Sequence, residues 1–143
     1  MYLEPIMFVQ QPYCNTMKQI VFLVVLFLIL SCNTSTKNNE VIELLTPTEF
    51  KMQSQSATLV DIRTPQEFQQ GHIENAINID FYNRNFLSNF KQFNKNEPLF
   101  IYCRSGNRTS QAASKLAEMG FRKVYDLKNG INNWKKENLK IVK

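Results

Sequence analysis

One cysteine, Cys103, lies between a short apolar run and a polar loop. The run Leu99–Tyr102 has the length and composition of a buried strand. The loop that follows contains Arg104, Ser105, Gly106, Asn107, Arg108 and Thr109. Backbone N–H groups in a loop between a strand and a helix converge on one point, and their partial positive charge favours thiolate over thiol. With two arginines added, the segment predicts a nucleophilic sulfur that faces a binding site for a small anion.

The elements that position this loop alternate along the chain. Five segments have the pattern of strands, and they are 41–45, 58–62, 76–79, 99–102 and 123–127. Helical patterns lie at 46–53, 64–71, 86–93, 109–119 and 131–137, and the first two open on Thr-Pro-x-Glu capping boxes. Such alternation predicts an α/β fold with a central parallel sheet and helices on both faces. Ligands of these sheets bind beyond the carboxyl ends of the strands, where Cys103 is expected to lie.

Composition excludes several classes of protein. The 143 residues fit one domain, and 43% hydrophobic residues suffice for one core. The net charge of +5 comes without a basic stripe interleaved with aromatic residues, so nucleic acid is not an expected partner, whereas an anionic substrate is. Three cysteines without a C-x-x-C pair exclude a disulfide scaffold, a zinc finger and a thioredoxin-type dithiol. No metal or cofactor is expected, and the domain is predicted to be a monomer.

The first forty residues have the character of an export signal. Residues 20–30 are eleven consecutive apolar residues, and a membrane-spanning helix needs about 20. The length is instead typical of the apolar core of a secretory signal. Lys18 supplies a positive charge ahead of this run, and Met17 offers a natural start. A plain membrane anchor and a buried helix are the alternatives.

The apolar run ends in Ile29-Leu30-Ser31-Cys32, which resembles the lipobox of bacterial lipoproteins. This resemblance implies that Cys32 is diacylated and becomes the first residue of the mature chain. We therefore expect a signal peptide at 1–31, a lipidated cysteine with a polar tether at 32–40, and a folded domain at 41–143. The implied location is the bacterial cell envelope, with the domain anchored to a membrane through lipid and facing the periplasm or the exterior.

Four stretches of the folded domain together resemble the rhodanese-like sulfurtransferases. They are the Cys103 loop (CRSGNRT), Asp61–Phe68 (DIRTPQEF), Gly71–Ile79 (GHIENAINI) and the tail from Val124 to Trp134, in which Asn129 replaces a more usual glycine. The resemblance covers about 41–137 and implies the fold of that family. It also implies a persulfide on Cys103, formed from an anionic donor such as thiosulfate and passed to a thiol or cyanide acceptor.

The same resemblance implies structural support from outside the loop. Asp61 and Arg63 match a D-x-R element, in which Asp61 fixes the loop architecture by hydrogen bonds. Glu67 is a candidate partner for an arginine of the loop. His72 is the only histidine, and it is interpreted as structural because sulfur transfer by a preformed thiolate needs no base.

The roles of the two arginines stay open at this point. Arg104 either attracts the substrate or is simply solvated. Arg108 either binds the anion directly or forms an ion pair with Glu67 or Asp61 that ties the loop to the rest of the domain.

Three other functions compete with sulfur transfer. Cell-cycle phosphatases share the fold, but five residues separate their Cys and Arg, whereas four separate Cys103 from Arg108, and we expect the shorter loop to be too tight for phosphate. A non-catalytic sulfur carrier or partner-binding module would keep the cysteine equally well. A redox relay lacks a second thiol, because Cys14 precedes the suggested start and Cys32 is expected to be lipidated.

Overall fold

The computed structural model of the protein describes residues 41–143. The predicted signal peptide, Cys32 and the polar tether lie outside the described residues, and those expectations stay predictions. Within 41–143, no helix has the length and apolar character needed to cross a membrane.

The sheet has five strands in the order β1-β5-β4-β2-β3, and every neighbouring pair is parallel. The strands are β1 (Ile42–Leu45), β2 (Thr58–Asp61), β3 (Ile77–Asn78), β4 (Leu99–Tyr102) and β5 (Val124–Leu127). The predicted parallel sheet is therefore confirmed. At the edge of the sheet, β3 pairs with β2 only through Ile77 and Asn78, so it is shorter than the predicted 76–79. The strand that leads to Cys103 is the central one.

Helices connect the strands, as parallel pairing requires. They are α1 (Pro47–Gln53), α2 (Pro65–Gln69), a 3₁₀ segment (Leu87–Gln92) and α3 (Asn107–Glu118), and a further helix, α4 (Gly130–Lys136), follows β5. Both capping boxes form as predicted: the side chains of Thr46 and Thr64 accept hydrogen bonds from the backbone of a glutamate three residues on, and that glutamate reaches back. The segment predicted as a helix at 86–93 is a 3₁₀ helix instead.

The core has two layers, one on each face of the sheet. Residues of α3 and the 3₁₀ segment cover one face, where Ala112, Leu116 and Phe90 pack against the strands. Residues of α1 and α4 cover the other face, where Phe50 and Trp134 pack against Phe100 and Tyr102. Side chains of a strand alternate between the two faces. Cys103 continues the alternation of β4, so its side chain joins the layer beneath α3.

Candidate active site

The Cys103 loop folds back on the cysteine sulfur. Gly106 has a φ of 97°, in the left-handed region that glycine adopts without strain. This curl allows the Gly106 backbone N–H to donate to Cys103 Sγ at 3.1 Å. The helix α3 begins at Asn107, two residues earlier than predicted, because Gly106 acts as its N-cap. The sulfur therefore faces a backbone amide at the start of a helix, as the residue types of the loop indicated.

Thr109 forms the second contact of the sulfur. Its hydroxyl Oγ1 lies 3.8 Å from Cys103 Sγ and donates to the Gly106 carbonyl oxygen at 2.9 Å. Thr109 is fully buried, so this hydroxyl closes the loop on its inner side. The three residues hold one another in place and fix the direction in which the sulfur points.

The sulfur is more enclosed than a position at the sheet edge suggests. Cys103 is 1% exposed, and it packs with Ile62, Ile101 and Ala112 in the layer beneath α3. The side chain is buried although it follows the end of the strand, because the cysteine continues the inward alternation of β4. The residues that follow it, Arg104 and Ser105, are exposed.

The first residues of α4 donate hydrogen bonds to the backbone of the Cys103 loop. The backbone N–H of Ile131 donates to the Cys103 carbonyl at 2.9 Å, and that of Asn132 donates to the Arg104 carbonyl at 3.2 Å. Gly130 makes this approach possible, because a Cβ atom built on it would lie 2.4 Å from Cys103 O. Asn129, which replaces the more usual glycine, has a φ of 62°, and asparagine tolerates this region better than most residues. The turn that supports the loop is thus preserved despite the replacement.

Arg108 ties the loop to α2. Its Nη1 and Nη2 donate to the two carboxylate oxygens of Glu67 at 2.7 and 2.8 Å, and its guanidinium lies 5.7 Å from the ring centre of Tyr82. These hydrogen bonds hold the pKa of Glu67 at about 2, well below its usual value, against the opposing effect of burial. Of the alternatives for Arg108, the structure shows the ion pair with Glu67, which also caps α2 through Thr64.

Asp61 and Arg63 form a separate buried clamp. Nε and Nη2 of Arg63 donate to the Asp61 carboxylate at 2.6–3.0 Å, and Nη2 also donates to the Gly71 carbonyl at 2.8 Å. The exposed fractions of the two side chains are 4% for Arg63 and 0% for Asp61. The clamp fixes the turn between β2 and α2. It therefore orients α2, whose Glu67 holds the Cys103 loop through Arg108.

The single histidine lies among structural contacts. The ring of His72 stacks on Phe68 at 3.7 Å between ring centres, and Nδ1 lies 3.2 Å from the Phe68 carbonyl oxygen. Its backbone pairs with Val142 near the carboxyl end of the chain. These contacts agree with its interpretation as a structural residue.

Residues 46–137 match the family model described as the rhodanese-like domain. The chain belongs to the rhodanese-like family. The predicted resemblance to the rhodanese-like family and the predicted fold are confirmed, whereas the resemblance to a lipobox stays a prediction.

Relatives of this rhodanese domain include two bacterial proteins named thiosulfate sulfurtransferase GlpE. The one from Shewanella oneidensis is 35% identical over 105 residues, which cover 73% of this chain and 98% of the relative. The one from Pseudomonas syringae is 32% identical over 97 residues, covering 62% and 90%. Among solved structures, a rhodanese-like domain protein from Staphylococcus aureus is 30% identical with a TM-score of 0.60, covering 71% of this chain and 99% of that one.

Sequence reasoning did not single out one residue of this rhodanese domain that lies beside the site. Asp126, on β5, is 5% exposed, and no residue of 41–143 donates a hydrogen bond to its Oδ1. The nearby Thr109 hydroxyl donates to the Gly106 carbonyl instead. Burial raises the pKa of the Asp126 carboxyl to about 6. In the sequence, the feature that could have indicated Asp126 is an acidic residue within a predicted strand.

Asp126→Asn is expected to stabilise the domain at neutral pH. The folded chain holds the Asp126 proton more tightly than the unfolded chain, so the wild-type free energy of unfolding falls as pH rises from about 4 to about 6 and stays low above that. The expected gain near pH 7.5 is roughly 2–3 kcal/mol, because one pKa unit corresponds to about 1.4 kcal/mol. Urea unfolding of both proteins across this pH range measures it. The exposed Glu43→Gln is the control, and a gain for Asp126→Asn that does not change with pH would contradict the assignment.

Proposed function

We propose that this domain is a sulfurtransferase that carries sulfur as a persulfide on Cys103. The donor is a small anion such as thiosulfate, and the acceptor is a thiol or cyanide. The observation that carries the proposal is the amide of Gly106 directed at Cys103 Sγ at 3.1 Å, in a loop that also holds two arginines. Membership of the rhodanese-like family and the sulfurtransferase names of two relatives support it.

The reaction has two displacement steps at sulfur. In the first, the Cys103 thiolate attacks the outer sulfur of thiosulfate, a bond forms between Sγ and that sulfur, and the old S–S bond breaks with its electron pair leaving on sulfite. In the second, the acceptor attacks the outer sulfur of the persulfide, and Cys103 leaves as a thiolate. The steps exchange one sulfur atom and need no other oxidant or reductant.

The loop supplies charge complementarity at each step. The Gly106 N–H stabilises negative charge on the sulfur, because a backbone donor fixed in place costs no reorganisation when the charge develops. Arg104 is exposed, and no acidic side chain of the described residues pairs with it, so its charge is available to attract a dianion. Arg108 acts indirectly, since Glu67 occupies its guanidinium.

Two observations disfavour phosphatase chemistry. Four residues separate Cys103 from Arg108, one fewer than in the cell-cycle phosphatases. In addition, both terminal nitrogens of Arg108 already donate to Glu67, so the arginine that would hold a phosphate is occupied.

The burial of Cys103 favours a second candidate function, a sulfur carrier that protects its persulfide until a partner arrives. Both a carrier and an enzyme would form the persulfide on Cys103, but only an enzyme would pass its sulfur to small acceptors repeatedly. Catalytic release of thiocyanate from thiosulfate and cyanide supports the enzyme, whereas a persulfide that forms once and is not discharged by small acceptors supports the carrier.

Mass spectrometry of the protein after incubation with thiosulfate tests the persulfide. We expect the peptide that contains Cys103 to gain the mass of one sulfur atom, and we expect Cys103→Ser to abolish both this gain and all sulfur transfer. Ser114→Ala, an exposed position on α3 away from the loop, is the control. Hydrolysis of aryl phosphates that is lost in Cys103→Ser, without any sulfur gain, would show that the proposal is wrong.

A further inference from the structure

A cavity of about 310 Å³ lies where the Cys103 loop meets α2 and α4. Its polar lining comes from Arg63, Glu67, Gln70, Arg104, Asn132 and Lys135. Neither Gly106 nor Thr109, which contact the sulfur, lines it. The cavity therefore lies beside the contacts of the sulfur and shares Arg104 with the Cys103 loop.

The side chains that line this cavity give it a net positive charge. The Glu67 carboxylate is occupied by Arg108, and the charge of Arg63 is offset by Asp61. Arg104 and Lys135 have no acidic partner among residues 41–143. Two positive charges at the cavity are thus left without compensation.

Arg63 adds a donor to the lining. Its side chain is 4% exposed. Its Nε and Nη2 donate to the Asp61 carboxylate, and Nη2 also donates to the Gly71 carbonyl. Among the described residues, no acceptor pairs with its Nη1. Within residues 41–143, only Asp126 Oδ1 is both buried and without a partner, so Nη1 of Arg63 is accessible and can donate to a ligand with acceptor oxygens in the cavity.

The cavity adjoins the peptide that joins Cys103 to Arg104. Arg104 follows the reactive cysteine directly, and its carbonyl accepts the hydrogen bond from Asn132, another lining residue. A molecule bound here lies beside the residue that follows the reactive cysteine. The volume is at the lower end of the range for small-molecule sites, about 300–1,000 Å³.

We propose that this cavity binds a carboxylate of the acceptor, and that the preferred acceptor is therefore a small thiol that carries carboxylate groups. The inference rests on the proposed sulfurtransferase function and narrows its acceptor class. In the proposed reaction sulfite leaves before the acceptor binds, so Arg104 can attract the donor anion first and the acceptor carboxylate afterwards. Cyanide is too small to contact this cavity and the persulfide at the same time. A thiol without a carboxylate forms no ion pair with Arg104 or Lys135 and accepts no hydrogen bond through a carboxylate from Nη1 of Arg63.

Two acceptors with the same thiol test the inference: glutathione and its diethyl ester, whose carboxylates are masked. The wild-type protein is expected to show a lower KM for glutathione than for the ester. Lys135→Gln is expected to raise the KM for glutathione roughly fivefold to tenfold, since it removes one charge-assisted hydrogen bond. The KM values for the ester and for thiosulfate are expected to stay the same. Lys136→Gln, the adjacent residue outside the cavity lining, is the control and is expected to change none of these values.

The outcomes separate this inference from the function on which it rests. Equal KM values for glutathione and the ester, or a Lys135→Gln effect equal on both acceptors, would overturn the carboxylate site while the persulfide still forms. Failure of the wild-type protein to form a persulfide at all would overturn the proposed function, and the acceptor site with it.

Discussion

Replacing Gly130 with alanine is expected to lower the rate of persulfide formation on the order of 100-fold, the effect of about 1 Å of displacement at a reacting group. The added Cβ would lie 2.4 Å from the Cys103 carbonyl oxygen and 2.6 Å from the Arg104 carbonyl carbon. Both are backbone atoms, so the clash is relieved only if the Cys103 loop moves away from α4. Single-turnover kinetics with thiosulfate, followed by the mass of the Cys103 peptide, measures the effect.

Gly120→Ala is the matched control for this experiment. Gly120 also has a positive φ, of 95°, but the nearest atom to its added Cβ is the flexible Lys95 side chain at 3.8 Å. Both variants carry the cost of a left-handed alanine, about 1–2 kcal/mol, whereas only Gly130→Ala displaces the loop. If both variants form persulfide at the wild-type rate, the close approach of α4 does not position Cys103.

Asp61→Asn is expected to lower the free energy of unfolding by about 3–5 kcal/mol, because it leaves the buried Arg63 guanidinium without a counter-charge. A small domain has a total stability of about 5–15 kcal/mol, so this loss brings it close to unfolding. Urea denaturation of the purified protein measures the change directly. The double variant Asp61→Asn/Arg63→Met is expected to recover part of the loss, since an apolar side chain can replace a buried charge.

The exposed pair of Lys140 and Glu74 provides the control for the clamp. The exposed fractions of these side chains are 71% and 57%, and their closest N–O distance is 3.2 Å. Glu74→Gln is expected to cost about 0–1 kcal/mol, as surface ion pairs do. An equally small loss for Asp61→Asn would show that burial of the Asp61–Arg63 pair does not make it stabilising.

Local sequence signals predicted most of the elements. The Thr-Pro-x-Glu patterns placed the starts of α1 and α2, and short apolar runs placed β2, β4 and β5. These features depend on residues within one or two turns of each other. Gly106 also marked the bend of the loop, although the helix α3 began two residues earlier than its apolar spacing suggested.

Features that depend on contacts between residues distant in sequence could not be predicted from local sequence patterns. The choice of Glu67 rather than Asp61 as the partner of Arg108 follows from Arg63, which occupies Asp61 completely. The burial of Cys103 and Asp126 follows from the position of α3 over β4 and β5. The cavity beside the Cys103 loop needs α2 and α4 in place before it exists.

The enclosure of Cys103 bears on which atom of the proposed persulfide an acceptor can reach. A persulfide has two electrophilic sulfurs, and an acceptor thiolate that attacked the inner one would form a mixed disulfide and expel hydrogen sulfide. In the proposed persulfide, the inner sulfur is that of Cys103, which is 1% exposed and shielded by the α3 layer, whereas the outer sulfur lies about 2 Å from it. We therefore expect the fold to favour attack on the outer sulfur, which returns a free thiolate and avoids a dead-end adduct.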